Sequence, residues 1–301
     1  VLFRSRISDG VIADIADAGR EFYTYWFRAE FDVPESFRGH TAWLAPEGIN
    51  YRAEIWLNGF LVEVTAGMFR RYKLDVTDRI IPGKKNAIAI LVFPVDNPGR
   101  AQRKPWGAPG ESRNGGDGQI GRNVSQLMTV GWDFTFNDGI RDRNTGIWKS
   151  IRLFTTGKVS LDAPFVKSVL NHPGYDCAKE TISVEVHNPA AGYSDPVRCT
   201  VEGRIEGTGI SFAKDITLLR GERRTLTFTP EEFPELILDH PKLWWPKNKG
   251  EQHLYTLTLK ALVDGHLSDS LQTDFGIREI LVSRETPDSS KLFLVNGRKL
   301  F

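Results

Sequence analysis

Long apolar runs are missing from this 301-residue chain. Nothing approaches the roughly 18 consecutive apolar residues of a membrane-spanning helix, and no charged-then-apolar segment of the signal type opens it. Charge of a single sign is missing as well: 39 Lys and Arg stand against 38 Asp and Glu, for a net charge of +1 and a pI near 7.9. That balance removes any general electrostatic case for a nucleic acid or an anionic membrane as partner. Cysteine is scarce, with only Cys177 and Cys199 present. The two could form one bridge in an oxidising compartment or remain buried free thiols, so the compartment stays open, a periplasmic or secreted location being slightly favoured over a cytoplasmic one. Asn123-Val124-Ser125 is a glycosylation sequon, which matters only if the source glycosylates secreted proteins. His40, His172, His187, His240, His253 and His266 are widely separated, and with no Cys/His or carboxylate cluster there is no sequence case for a transition-metal site. A serine nucleophile elbow, G-x-S-x-G, is absent too. No catalytic residue, cofactor or metal ligand follows from this inventory.

Present instead is a strong period of two. Hydrophobic content of 40% and charged content of 26% are ordinary for a globular protein, and the length suits two domains, each with its own core. Tyr25, Phe27, Ala29 and Phe31 alternate with Trp26, Arg28 and Glu30, and Pro34 closes the run, which predicts a strand with one buried face. Tyr51, Ala53, Ile55 and Leu57 alternate in the same way before Asn58-Gly59 and a second apolar run, Phe60 to Val64. Asn-Gly between two such runs predicts a hairpin, because a type I′ turn needs positive φ at both central residues. Asn86 to Phe93 reads as another strand, entered from the Pro82-Gly83 turn, and Ile147, Ile151 and Leu153 supply one face of a last one. Short strands at turn-punctuated spacing, without helical periods, predict an antiparallel sandwich.

After Gly157 the chain has more Val, Thr and Glu and fewer aromatics. Thr181–Val186, Arg198–Ile205, Ser211–Leu218, Thr225–Thr229, Leu254–Leu262 and Ser270–Phe275 read as strands of a second, smaller sandwich of immunoglobulin-like architecture, without the Cys…Trp…Cys spacing of true immunoglobulin domains. Asn296-Gly297 predicts one more hairpin, between Leu292–Val295 and Lys299–Phe301. Leu243-Trp244-Trp245-Pro246 could present an exposed sugar platform, but packing is the preferred reading.

Between Pro94 and Gly131 regular pattern is weak and Gly, Arg, Asn and Pro are frequent. Structureless connections above about 12–15 residues are uncommon in compact domains and are usually functional or disordered. This one leads into Gly131–Trp148, GWDFTFNDGIRDRNTGIW, which is too broken by turn residues for a core element and too aromatic for a solvated linker. The mixture suits a recognition surface in which aromatic faces stack on sugar C–H faces and a carboxylate takes hydrogen bonds from hydroxyls. Trp132 and Asp133 are its sharpest pair, against the plainer reading of a core aromatic beside a turn former. Gly116-Asp117-Gly118-Gln119-Ile120-Gly121 matches the dinucleotide fingerprint in letters, but no helical pattern follows it, and the mechanism of that motif requires one.

As a set, these residues resemble the non-catalytic N-terminal part of glycoside hydrolase family 2, whose members include β-galactosidases, β-glucuronidases, β-mannosidases and exo-β-glucosaminidases. The resemblance is carried by Tyr25–Phe31, Glu47–Gly59, Gly67–Asn86, Gly131–Leu153, Pro241–Pro246 with Leu254-Tyr255, and Phe275–Glu279. Gly-Trp-Asp followed by Gly-Ile-Trp is most similar to the mannosidase and exo-glucosaminidase branch. Phe134 stands where that branch more commonly has a second Trp, which leaves the sugar open. The resemblance implies an all-β chain: a jelly-roll, galactose-binding-like sandwich over residues 1–158, an immunoglobulin-like sandwich over 159–283, and at 284–301 a hairpin leading into a (β/α)₈ barrel. That barrel would carry two catalytic Glu of a retaining mechanism, their carboxyl groups about 5–5.5 Å apart. No Asn-Glu dipeptide, the family's acid/base signature, occurs here. The chain is therefore expected to be an excised, inactive portion whose partners are carbohydrate and the missing C-terminal barrel of the same protein. A jelly-roll loop reaches the barrel mouth in this family, and the matching residues for substrate binding are Trp132 and Asp133. The alternatives are a stand-alone carbohydrate-binding or adhesion module, and sandwiches that mediate homo-oligomerisation.

Overall fold

The computed structural model describes residues 24–93, 146–189, 196–284 and 290–300, and the chain divides into two compact units, Val1–Thr155 and Thr156–Phe301. Among the described residues there is no α-helix, only the 3₁₀ turns Glu35–Phe37 and Pro234–Leu236.

The first unit contains β1 (Tyr25–Asp32), β2 (Thr41–Pro46), β3 (Ile49–Asn50), β4 (Arg52–Leu57), β5 (Phe60–Ala66), β6 (Leu74–Asp75), β7 (Lys85–Val92), β8 (Gly146–Ile147) and β9 (Ile151–Thr156). They form an antiparallel sandwich of jelly-roll type, with sheets ordered β1-β7-β4-β5, β6-β2-β9 and β3-β8. The alternation read in the sequence is the alternation observed: Ala53, Ile55 and Leu57 of β4 and Ile90 and Val92 of β7 are buried in one core with Leu44, Ile49 and Val76. Each of the Val, Leu and Ile side chains contributes about 1.5–3 kcal/mol on full burial. Asn58 (φ 50°) and Gly59 (φ 85°) both lie in the left-handed region, so the turn is the one Asn-Gly predicts. Asn58 is held there by its own side chain, which donates to Arg79 O (2.8 Å) and Asn86 Oδ1 (2.7 Å) and accepts from Ala87 N (2.9 Å). β2 carries no alternation because all six of its residues are buried. A strand covered on both faces has no period to read.

In the second unit β10 (Ser160–Leu170), β11 (Cys177–His187), β14 (Arg223–Phe228) and β15 (Ile237–Asp239) form one sheet. The facing sheet runs in the order β13 (Ile210–Leu218), β12 (Val197–Ile205), β16 (Tyr255–Val263), β17 (His266–Phe275). Inward residues of both, among them Ile182, Val184, Val201, Phe212, Phe228, Leu257 and Leu259, make a single core, as in an immunoglobulin-like sandwich. β10 is not among the strands read from the sequence, and the reason is Pro164: the register slips between Asp162 and Phe165, so the proline sits in a bulge where no ladder bond is lost. Cys177 and Cys199 are free thiols, and burial pushes that of Cys199 up to about 11. A small sheet closes the unit: β18 (Ile280–Ser283), β19 (Leu292–Val295) and β20 (Arg298–Lys299), with the expected turn at Asn296 (φ 47°) and Gly297 (φ 71°).

Candidate functional site

Trp132 and Asp133 lie outside the described residues, as do Gly116–Gly121 and the sequon. The two ends of the segment that carries them are described, and both are fastened to the same short run of chain. At the outgoing end Val92 pairs with Ala53 and Phe93 N donates to Arg52 O (3.0 Å), while the Arg52 guanidinium covers the Phe93 ring at 5.0 Å. At the returning end Gly146 pairs with Asn50 and Ile147 with Ile49. Segment 94–145 thus departs from and comes back to Ile49–Ala53. Gly146 has φ 125°, and a Cβ there would meet Phe27 Cζ at 3.5 Å. Glycine is what this backbone conformation admits.

Trp148 braces the returning end. Its backbone N donates to Gly48 O (3.2 Å) and its indole Nε1 donates to Met68 O (2.9 Å). Phe69 meets the indole edge-on, with centroids 5.7 Å apart, and Lys149 Nζ stands 4.7 Å from the ring centroid. A Cβ on Gly48 would come within 2.7 Å of Nε1, so the indole seats directly against a bare backbone. Below it, Glu47 accepts from Ser150 Oγ (2.7 Å) and pairs with Arg152 (2.6 Å), and that hydroxyl, with Arg152 second to it, holds the Glu47 carboxyl below its ordinary range. Trp148 and Phe69 remain 43% and 59% exposed. With backbone behind the ring and an ammonium over it, Trp148 acts as a bracket rather than an open stacking face.

Of the residues singled out in the sequence, Trp148 is thus placed at the root of the segment. Trp244 and Trp245 belong elsewhere: in the second unit they lie under the Arg278 and Arg298 guanidinium groups, at 4.4 and 4.7 Å, and against Gly276 and Gly250. They are packed, and present no open sugar platform. No local signal in the sequence names Gly48, Met68 and Phe69 as partners of Trp148, since the indole bond to Met68 joins residues 80 apart. Among the described residues no group of three or more His, Cys, Asp or Glu could hold a metal ion.

Comparison with known proteins agrees with this architecture. Residues 10–149 match the family model described as the glycosyl hydrolase 2 galactose-binding domain-like domain, and residues 160–278 match that of glycosyl hydrolases family 2. The chain is 35% identical over 299 residues to a mannosylglycoprotein endo-beta-mannosidase of Lilium longiflorum, covering 96% of this chain and 29% of that protein. It is 29% identical to an exo-beta-D-glucosaminidase of Amycolatopsis orientalis, covering 92% of this chain and 23% of that one. The crystal structure of the Amycolatopsis orientalis exo-chitosanase CsxA superposes with a TM-score of 0.69 at 27% identity, covering 92% of this chain and 28% of that chain. The chain thus spans less than a third of each of these relatives. Two consecutive domain matches in the order of the two observed sandwiches, with relatives of one kind along nearly the whole chain, establish that it belongs to glycoside hydrolase family 2, of which it comprises the N-terminal galactose-binding-like and immunoglobulin-like domains.

Proposed function

We propose that this chain is the non-catalytic N-terminal portion of a retaining exo-glycosidase, scaffolding the catalytic barrel and lending it one loop of the terminal-sugar pocket. Asp133 accepts hydrogen bonds from hydroxyls of the terminal sugar and Trp132 offers its indole to a C–H face. The observation that carries this reading is that the described residues on either side of segment 94–145, Val92 and Gly146–Ile147, are both fastened to Ile49–Ala53, with Trp148 bracing the returning side. Carbohydrate as the ligand class is supported by the family and by the glycosidase relatives.

The test is kinetic. In the full-length enzyme, Asp133→Ala should lower kcat/KM by the worth of one or two lost hydrogen bonds to substrate, about 1–3 kcal/mol or roughly five- to 150-fold, with the melting temperature unchanged. Unchanged kinetics would remove Asp133 from the pocket. The 301-residue chain alone should release no product from aryl β-glycosides. A stand-alone binding module would instead show Asp133-dependent glycan binding by the isolated chain in calorimetry.

A further inference from the structure

The outward face of the β1-β7-β4-β5 sheet has the wrong composition for a face turned to water. Antiparallel sheets that are solvated on one side carry polar residues there. Here the outward positions include Trp26, Leu61 and Val64, which are 53%, 44% and 43% exposed, together with Trp56. The register sets Arg28 beside Ala89 and Ala89 beside Trp56, with Glu30 beside Ala87 one step along and Trp26 one step the other way. The result is a trough of about 620 Å³ with Trp26 and Arg28 on one bank, Trp56 on the other and two alanines as its floor. That volume lies within the range of about 300–1,000 Å³ usual for small-ligand sites. Adjacent strands are about 4.8 Å apart, so β1 and β4 stand roughly 10 Å from each other across β7. A flat ring touching both banks needs two carbon contacts of about 3.5–4.0 Å.

We propose that this trough is a second glycan-binding site, which takes a neutral, β-linked, gluco-configured oligosaccharide. Such a pyranose carries its hydroxyls equatorially, so both ring faces present axial C–H bonds, and the two indoles supply the matching apolar surfaces. Its hydroxyl edge needs a donor and an acceptor. Arg28 supplies the first, being exposed and without an ion-pair partner among the described residues. Glu30 supplies the second, its carboxylate drawn only loosely to Lys85 at 3.7 Å. Trp56 is oriented by its own neighbour, with Nε1 donating to Glu54 Oε2 at 3.2 Å. Charge complementarity selects among carbohydrates: one guanidinium beside one carboxylate leaves the lining neutral, which disfavours both polyanionic and polycationic chains. The trough uses no residue of the root of segment 94–145 and stands independently of the function proposed above.

The experiment is calorimetric titration of the 301-residue chain with cellotetraose, beside its α-linked counterpart maltotetraose, with sedimentation on the same samples. Saturable binding of cellotetraose is expected, with maltotetraose weaker. Trp26→Ala and Arg28→Met should each weaken it by about tenfold or more, and Arg28→Met should do so without changing the melting curve, because that side chain is exposed. Asp133→Ala should leave it unchanged. Absence of binding, or binding insensitive to both trough variants, overturns the proposal. Binding lost in Asp133→Ala but kept in Trp26→Ala would place the sugar at segment 94–145 instead and also overturn it. So would self-association of the unliganded chain that Trp26→Ala abolishes, since the face would then be a contact between copies.

Discussion

Glu180 is fully buried on β11, accepts one hydrogen bond from Ser168 Oγ (2.7 Å), and leaves its other carboxyl oxygen without a partner among the described residues. Burial, opposed only by that hydroxyl, raises its pKa from 4.5 to about 7. The folded state therefore holds a proton that the unfolded chain releases, and stability contributed by the neutral acid is full below about 4.5 and lost as pH rises through about 7. Each pH unit between the two values is worth about 1.4 kcal/mol, a few kcal/mol in all. Denaturant melts of the wild type should thus weaken from pH 5 to pH 8, and Glu180→Gln should flatten that slope; equal slopes in the two would mean that the carboxylate finds water. The alternation that buries Ala178, Ile182 and Val184 also points Glu180 inward, yet a strand read from Thr181 leaves it out. Gly48 is a second residue-scale case. Gly48→Ala drives a methyl into the Trp148 indole, and overpacking of this kind costs about 1–3 kcal/mol. A fall in melting temperature with a changed near-ultraviolet dichroism of Trp148 is expected, and an unaltered spectrum would show that the indole has another seat.

At the scale of elements, hairpins were the most legible feature, because their cause is local. Asn58-Gly59 and Asn296-Gly297 both fold as the dipeptide predicts, and Asp264-Gly265, with φ 50° and 75°, is a third turn of the same kind between β16 and β17. Asn296 does more than turn. Its side chain accepts from Glu279 N (2.9 Å) and donates to Trp244 O (3.0 Å), its backbone N donates to Glu279 O (2.9 Å), and His172 Nε2 reaches the Glu279 carboxylate at 2.7 Å. The β18-β19-β20 ribbon is thereby tied to the second sandwich. A short ribbon is marginal alone, so these few bonds decide whether it stays. Asn296→Ala, which leaves buried partners unsatisfied at about 1–3 kcal/mol, should speed proteolysis at the ribbon before the sandwich itself is cut. Simultaneous cleavage of both would argue that the ribbon and sandwich open as one body. β2 and β10 were illegible for opposite reasons, burial on both faces in one and a proline at a bulge in the other.

At the scale of the whole molecule, each unit has a core built from its own residues. A piece comprising 156–301 should therefore fold by itself and melt cooperatively, with Glu180→Gln altering its pH dependence as in the full chain; a non-cooperative melt would show that its core is insufficient alone. What the sequence determined by itself was whatever depends on near neighbours: the strand periods, the Asn-Gly turns, the all-β class, and the motif order that identifies family 2. What only the tertiary structure decided were relations between residues far apart along the chain. The reduced state of Cys177 and Cys199, the fastening of segment 94–145 at Ile49–Ala53, the bond from Trp148 to Met68, and the register that brings Trp26 and Trp56 to one trough are of this kind. The physical reason is that period and turn chemistry act through a few adjacent dihedrals, whereas pairing across strands is selected by burying a unit's whole core at once, a condition that no local stretch of sequence records.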